Sequence, residues 1–225
     1  MTKALIFDSG TLINLSMNGL LYILEHLKRN FPGKFLITKS VKYEIVDRPM
    51  GIKRFELGAI RIQNLLDAGI LEFPESIGVS DEQLQKETRE LMEAANHFMQ
   101  YKGSFMSIVS EAEISCLALY NQLEKNGVEC MIGMDERTTR ILSENPESLT
   151  KMMSEKMHMN IKRAARNPRI FPNYKFIRST ELVFVAYKKG IINIHGKNVL
   201  DALLYATKFK GSSISFEEIE ELKKV

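Results

Sequence analysis

Apolar positions cluster in short runs whose spacing alternates between two patterns. Lys3–Asp8 is a nearly continuous apolar run, the pattern of a strand buried on both faces of a parallel sheet. Thr11–Leu15 opens a short helix, and Leu20–Arg29 places Leu20, Leu21, Ile23, Leu24 and Leu27 on a helical stripe. Lys34–Ile37 is a second strand, and Thr38 is placed to cap a helix carrying Val41, Glu44 and Ile45. Ile52–Ala68 predicts a helix with Phe55, Ala59, Ile62, Leu65 and Leu66 on one face; Gly69 stops it, and Ile70–Phe73 suits an edge strand. Asp81–Tyr101 reads as a long helix docked by Leu84, Leu91, Ala95 and Phe98. Ser110 and Glu113 form a capping-box pattern ahead of Glu111–Asn126, with Gly127 at its end.

The second half continues the alternation. Glu129–Met134 is a strand ending at Asp135, and Arg137–Leu142 begins a helix. Met152–Arg166 predicts a basic, Met-rich helix, and Pro168 and Pro172 make Asn167–Asn173 a loop. Lys175–Arg178 is a strand; Leu182–Lys189, Val199–Phe209 and Phe216–Leu222 are helices. Strands joined by helices imply an α/β fold, a three-layer α/β/α sandwich around a central, mainly parallel sheet. The expected organisation is one domain over residues 1–225, with an acidic helical segment at 74–105 and a basic helical insertion at 143–173.

Composition narrows the class. A chain of 225 residues with 44% hydrophobic and 26% charged residues excludes a disordered chain, a coiled coil and a collagen-like repeat. The longest apolar runs fall far short of the roughly 20 residues that cross a bilayer. Asp8 interrupts the first of them, so no secretory leader and no membrane contact are expected. Cys116 and Cys130 lack metal-like spacing, which suggests reduced thiols in a cytoplasmic protein. His26, His97, His158 and His195 are scattered without zinc spacing. Met152, Met153, Met157 and Met159 suit a core or a subunit contact. The formal charge of +3 hides an asymmetry. Residues 72–100 hold seven acidic side chains against two basic ones, and residues 151–190 hold ten basic against two acidic. The basic stretch permits a polyanion partner.

Two predicted strands finish on an aspartate, Asp8 and Asp135. The crevice of a doubly wound sheet lies outside the carboxyl ends of its strands, so adjacent strands bring both carboxylates to one place. Glu44 and Glu113 sit early in helices that start at the same edge. Two carboxylates about 5 Å apart repel by roughly 3 kcal/mol at an effective dielectric near 20. Four raise one another's pKa unless a cation lies between them. An all-carboxylate oxygen set suits Mg²⁺ or Mn²⁺, ions that activate water and stabilise the leaving oxygen in phosphodiester hydrolysis. Taken singly, Asp8 could close the Asp8-Ser9-Gly10 turn, Asp135 could cap the next helix, Glu44 could be solvated and Glu113 could be the capping-box acid. Their order along the chain favours a shared site.

This pattern resembles the PIN-domain ribonucleases, including the VapC-type toxins. The resemblance is carried by Ile6-Phe7-Asp8-Ser9, Val41-Lys42-Tyr43-Glu44, Glu111-Ala112-Glu113-Ile114-Ser115-Cys116-Leu117-Ala118 and Ile132-Gly133-Met134-Asp135-Glu136. Arg137 and Arg140 follow as a basic helix start, and the similarity extends over about residues 3–140 and on through Phe176–Ile192. It implies a metal-dependent endoribonuclease using Mg²⁺ or Mn²⁺, with Asp8, Glu44, Glu113 and Asp135 as metal-binding acids. It also implies Ser9 as an orienting hydroxyl, Glu111 and Glu136 as supporting acids, and a homodimer. Two features depart from the pattern: the third acid is Glu where the family often has Asp, leaving Glu111 and Glu113 both open, and Ser143–Asn173 is long. The partner expected is RNA, with Lys162, Arg163, Arg166 and Arg169 on its backbone.

Other readings compete. A catalytically silent RNA-binding or scaffold module, or a toxin held by an antitoxin, would share the fold. A haloacid-dehalogenase phosphatase needs a second Asp two residues after the first, and Gly10 stands there. Asp201 follows the fourth acid in chain order, which makes it a first-turn helix acid.

Overall fold

The computed structural model describes residues 3–164 and 171–225. The expected α/β organisation is present. Four parallel strands, β1 (Lys3–Phe7), β2 (Gly33–Leu36), β5 (Glu129–Gly133) and β7 (Phe176–Ile177), form a sheet in the order β2-β1-β5-β7. β1 is central because its residues from Ala4 to Phe7 are all buried. Its register places Ile6 beside Leu36 on one side and Phe7 beside Gly133 on the other.

The helices lie where the stripes put them. α1 (Ser9–Met17) leaves β1 directly, with Asp8 as its N-cap, and α2 (Tyr22–Asn30) leads into β2. Thr38 caps α3 (Lys39–Lys42) through a bond from the Val41 amide at 3.2 Å. The chain then widens into a π-helical turn over Tyr43–Asp47 and returns to α4 (Arg48–Met50). α5 (Glu56–Asp67) buries Ala59, Ile62 and Leu65. α7 (Glu111–Lys125) is the most deeply buried helix, and Gly127 follows it with φ 72°. α8 (Arg137–Glu144), α10 (Ser179–Lys188), α11 (Val199–Phe209) and α12 (Phe216–Leu222) match the expected positions closely. Phe184, Leu204, Ile214 and Ile219 make a small apolar cluster of their own among the last three helices. Among the described residues, no helix is long and apolar enough to cross a membrane.

Four expectations need correction. The helix predicted over Ile52–Ala68 starts only at Glu56, and Phe55 is 51% exposed rather than on the buried face. Ile70–Phe73 contributes a single parallel bridge, Leu36 to Glu72, instead of a strand. The helix predicted over Asp81–Tyr101 is α6 (Asp81–Asn96), followed by the hairpin β3 (Met99–Tyr101) and β4 (Ser104–Phe105). The helix ends at Asn96 with His97 as its C-cap, and Phe98 and Met99 are both buried as the chain turns into the strand. Lys102 and Gly103 both have positive φ, the conformation of a two-residue hairpin turn. The helix predicted over Met152–Arg166 is displaced as well. α9 (Pro146–Met157) starts from the cap Asn145 with Pro146 at its first position, and it stops at His158 in the left-handed region. Lys162–Arg163 is a strand, β6, paired antiparallel with β3.

The insertion is therefore part helix and part strand, and its strand joins the segment that follows the acidic helix. Arg163 lies over the Phe98 ring at 5.3 Å and pairs with Glu147 at 2.7 Å. Of the four Met residues singled out, Met153 is buried, while Met157 and Met159 are exposed. Of the loop expected at Asn167–Asn173, only residues 171–173 are described, and they form neither helix nor strand.

The edge strand depends on close backbone approach. A Cβ on Gly33 would lie 2.2 Å from the Lys3 carbonyl oxygen, so β2 can pair with β1 only with glycine there. Gly33→Ala is expected to cost about 2 kcal/mol or more, as overpacking does. An unchanged urea midpoint would contradict the pairing described.

Candidate acidic site at the carboxyl edge of the sheet

Asp8 ends β1 and is only 3% exposed. Its Oδ2 accepts the Gly10 amide at 3.1 Å, the N-cap bond of α1. Its Oδ1 is buried and has no hydrogen-bond partner among the described residues. Loss of solvation pushes its pKa up to about 7; Glu113 adds repulsion, the Gly10 and Ser9 amides pull it back, and Glu44 adds a smaller repulsion. A buried carboxylate with a bare oxygen and two acidic neighbours is a costly arrangement without a cation.

Glu113 arrives from the first turn of α7. The Ser110 hydroxyl caps this helix by accepting the Glu113 amide at 3.2 Å, and it donates to Glu113 Oε1 at 3.1 Å. Glu113 Oε2 accepts the Thr139 hydroxyl from α8. Burial raises the Glu113 pKa, the two hydroxyls work against this, and Glu136 adds to the rise. Glu111 is exposed and accepts the Ser40 hydroxyl at 3.0 Å. Of the two acids left open by the sequence, Glu113 is the one that acts on Asp8.

Glu44 sits on the π-helical turn, and its Oε2 accepts the Ser9 hydroxyl at 2.6 Å. Ser9 thus donates to one of the acids. π-turns recur at functional sites because the extra residue re-aims a side chain. The same helical segment is fixed to α7 by a contact of 2.6 Å between the Thr38 and Ser115 hydroxyls.

Asp135 is different. It reaches the same edge, because the Asp8 amide donates to the Gly133 carbonyl at 2.9 Å. A Cβ on Gly10 would come within 3.2 Å of Asp8 Oδ2 and 4.0 Å of the Asp135 Cβ. Both its oxygens are engaged, however. Oδ1 accepts the Ser179 amide at the start of α10 at 2.9 Å, and Oδ2 accepts Asn14 Nδ2 at 3.2 Å. A carboxylate at a helix N-terminus is favourably placed against the dipole. Glu136, not Asp135, caps α8, by accepting the Thr138 amide at 3.0 Å.

Sequence reasoning missed Asn14, Ser110 as a donor to the acid, Thr139 and Ser179. Asn14 carried one signal: a polar residue inside a buried helical stripe. Its amide also donates to the Thr207 carbonyl at 2.8 Å, tying α1 to α11. Cys116, one turn after Glu113, is fully buried with its thiol pKa pushed well up by lost solvation and the neighbouring acids, so it is an inert thiol.

Among the described residues, no three His, Cys, Asp or Glu side chains converge closely enough to hold a metal ion as they stand. The donor set nevertheless fits a hard cation: all-oxygen, anionic, with the buried Asp8 Oδ1 still unpaired. Glu44 and Glu113 would have to turn from their hydroxyl partners to share an ion with it. Two of the proposed RNA contacts, Lys162 and Arg163, are on the short strand β6. Lys162 is exposed, Arg163 is committed to Glu147 and Phe98, and Arg166 and Arg169 lie outside the described residues. Asp201 pairs with Lys223 at 2.6 Å, in keeping with a structural role.

The raised pKa of Asp8 has a signed consequence. The native state keeps this proton at pH values where the unfolded chain has lost it, so stability is fully present below 3.8, the ordinary aspartate value, and is lost as pH rises through about 7. In chelator, Asp8→Asn is expected to melt higher than the parent at pH 8, by up to about 4 kcal/mol of stability. The advantage should vanish near pH 4. A variant less stable than the parent at pH 8 would show that the Asp8 charge is compensated. Comparison with protein-family models, curated proteins and solved structures finds no match for this chain, which leaves the chemistry of these residues as the basis for its function.

Proposed function

We propose that the chain is a divalent-cation-dependent endoribonuclease of PIN-like, three-layer α/β/α architecture. The observation that carries this reading is the buried, unpartnered Asp8 Oδ1 beside Glu113 and Glu44, at the carboxyl edge of a parallel sheet. When bound, Mg²⁺ or Mn²⁺ would neutralise these acids and supply water activation and leaving-group stabilisation for phosphodiester hydrolysis. Asp8 is the fixed ligand, held by the amide of Gly10. Glu44 and Glu113 are the adjustable ones, each kept near the site by hydroxyls that can be given up: Ser9 for Glu44, Ser110 and Thr139 for Glu113. Asp135 positions α1 and α10 through Asn14 and Ser179.

Cleavage of single-stranded RNA with Mn²⁺ is the direct assay. Asp8→Asn is expected to lower the rate by about 100-fold or more, as loss of a metal-polarising group does, and EDTA should abolish it. Metal-dependent cleavage that survives Asp8→Asn combined with Asp135→Asn would refute the assignment of these acids.

One observation favours a second reading, a catalytically silent RNA-binding module on the same fold. Glu44 and Glu113 are already satisfied by hydroxyls, and no three acids converge as they stand among the described residues. Calorimetric titration with Mn²⁺ separates the two. The nuclease reading expects saturable binding that Asp8→Asn removes, and the silent module expects none.

A further inference from the structure

The geometry points to a nucleotide-binding subsite in the cavity between α8 and the loop joining α11 to α12, holding a phosphate of single-stranded nucleic acid while its base stacks on an exposed aromatic cluster. The cavity has a volume of about 610 Å³. It opens beside the acidic edge: α8 starts two residues after Asp135, and Arg178 on its wall precedes the Ser179 amide that Asp135 accepts.

Its lining mixes four basic side chains, Arg137, Arg140, Arg178 and Lys208, with the carboxylates of Glu144, Glu217 and Glu218 and the hydroxyls of Ser212, Ser213 and Ser215. Arg137 is exposed and has no ion-pair partner among the described residues. Arg140 donates from Nη1 to Ser213 Oγ at 3.3 Å, but its Nε is buried without a hydrogen bond, the nearest Glu144 oxygen lying 3.7 Å away. Ser212 is 4% exposed, and its hydroxyl likewise has no partner among the described residues. An arginine donor and a buried hydroxyl, both unsatisfied on one cavity wall, lack an acceptor, and a phosphate oxygen supplies one. Of the three lining acids, Glu144 and Glu217 are exposed toward water and Glu218 is engaged. Glu218 receives Arg178 at 2.8 Å and the Ser215 amide at 2.6 Å.

The rim supplies the second half of the site. Phe209 is 72% exposed and Phe216 48% exposed. Phe216 stacks on Tyr205 at 5.9 Å between ring centroids, and Phe209 lies 6.2 Å from Tyr205 and 6.3 Å from Phe216. Lys208 sits over the Phe216 ring at 4.3 Å and donates to the Ile214 carbonyl. A water-facing aromatic platform beside an exposed arginine with no ion pair among the described residues is a combination that binds single strands, with bases on the rings and a phosphate on the cation. The arrangement deepens the ribonuclease reading, on which it rests for the neighbouring phosphodiester it would position, and binding can be read without cleavage.

The test is fluorescence anisotropy in EDTA with a labelled single strand of about ten uridines, and with an abasic phosphodiester of equal length as control. The parent is expected to bind the uridine strand at least about fivefold more tightly than the abasic one, as stacking requires. Phe209→Ser should remove that preference. Arg137→Gln should weaken both probes and lower the salt slope by about 0.7, the value for one lost phosphate contact on a single strand. Both positions are exposed, and unchanged melting curves confirm intact folding. Equal affinity for the two probes, or either variant binding like the parent, overturns the subsite. Its failure alongside intact Mn²⁺-dependent cleavage leaves the nuclease standing. Stacking-dependent binding without any cleavage supports the subsite and counts against the nuclease.

Discussion

The arrangement turns on one cost: a carboxylate buried at the end of a central strand with an oxygen left bare. Protein interiors rarely tolerate this, because an unpaired buried charge costs more than a surface group can return. Asp8 is held there by elements that cannot easily let it go. β1 is flanked by β2 and β5, and α1 begins at the next residue. The N-cap bond satisfies one oxygen and leaves the other without a partner, while Glu113 and Glu44 repel the charge. A strongly perturbed carboxyl group in such a place marks a candidate functional site.

The surroundings follow from that constraint. The hydroxyls of Ser9, Ser110 and Thr139 hold the two glutamates, neutral donors that stabilise a carboxylate without cancelling its charge. A lysine or arginine in their place would have quenched the site. Asp135 is instead consumed by architecture, gripping the first turn of α10 and the amide of Asn14, which in turn holds α11. The acidic edge and the neighbouring cavity are thus joined through the same short stretch of α8 and α10.

Much of this was legible in the sequence. The runs ending at Asp8 and Asp135 read as strands because they are short and apolar, although β5 turns out to expose Glu129 and Met131 while β1 is buried from Ala4 to Phe7. Ser9, Glu44 and Glu113 were legible from their place beside those ends. The second sheet was hidden because Phe98-Met99 continues the apolar content of α6 closely enough to pass for one more helical turn. β6 is only two residues long and pairs with a strand far away in sequence, which no local pattern records. The division of labour among the acids was also out of reach. Whether Asp135 faces a ligand or a helix end depends on Ser179, 44 residues away. The cavity was equally invisible, since it joins α8 to a loop more than 70 residues later.

The central claim is that Asp8 is a cation ligand awaiting its ion. Anomalous diffraction from a crystal soaked in Mn²⁺ addresses it without relying on any activity. The account predicts a manganese peak within bonding distance of Asp8 Oδ1, with Glu113 or Glu44 turned from its hydroxyl toward the ion. An Asp8 oxygen that stays bare in saturating Mn²⁺, or a peak confined to surface carboxylates, would contradict it.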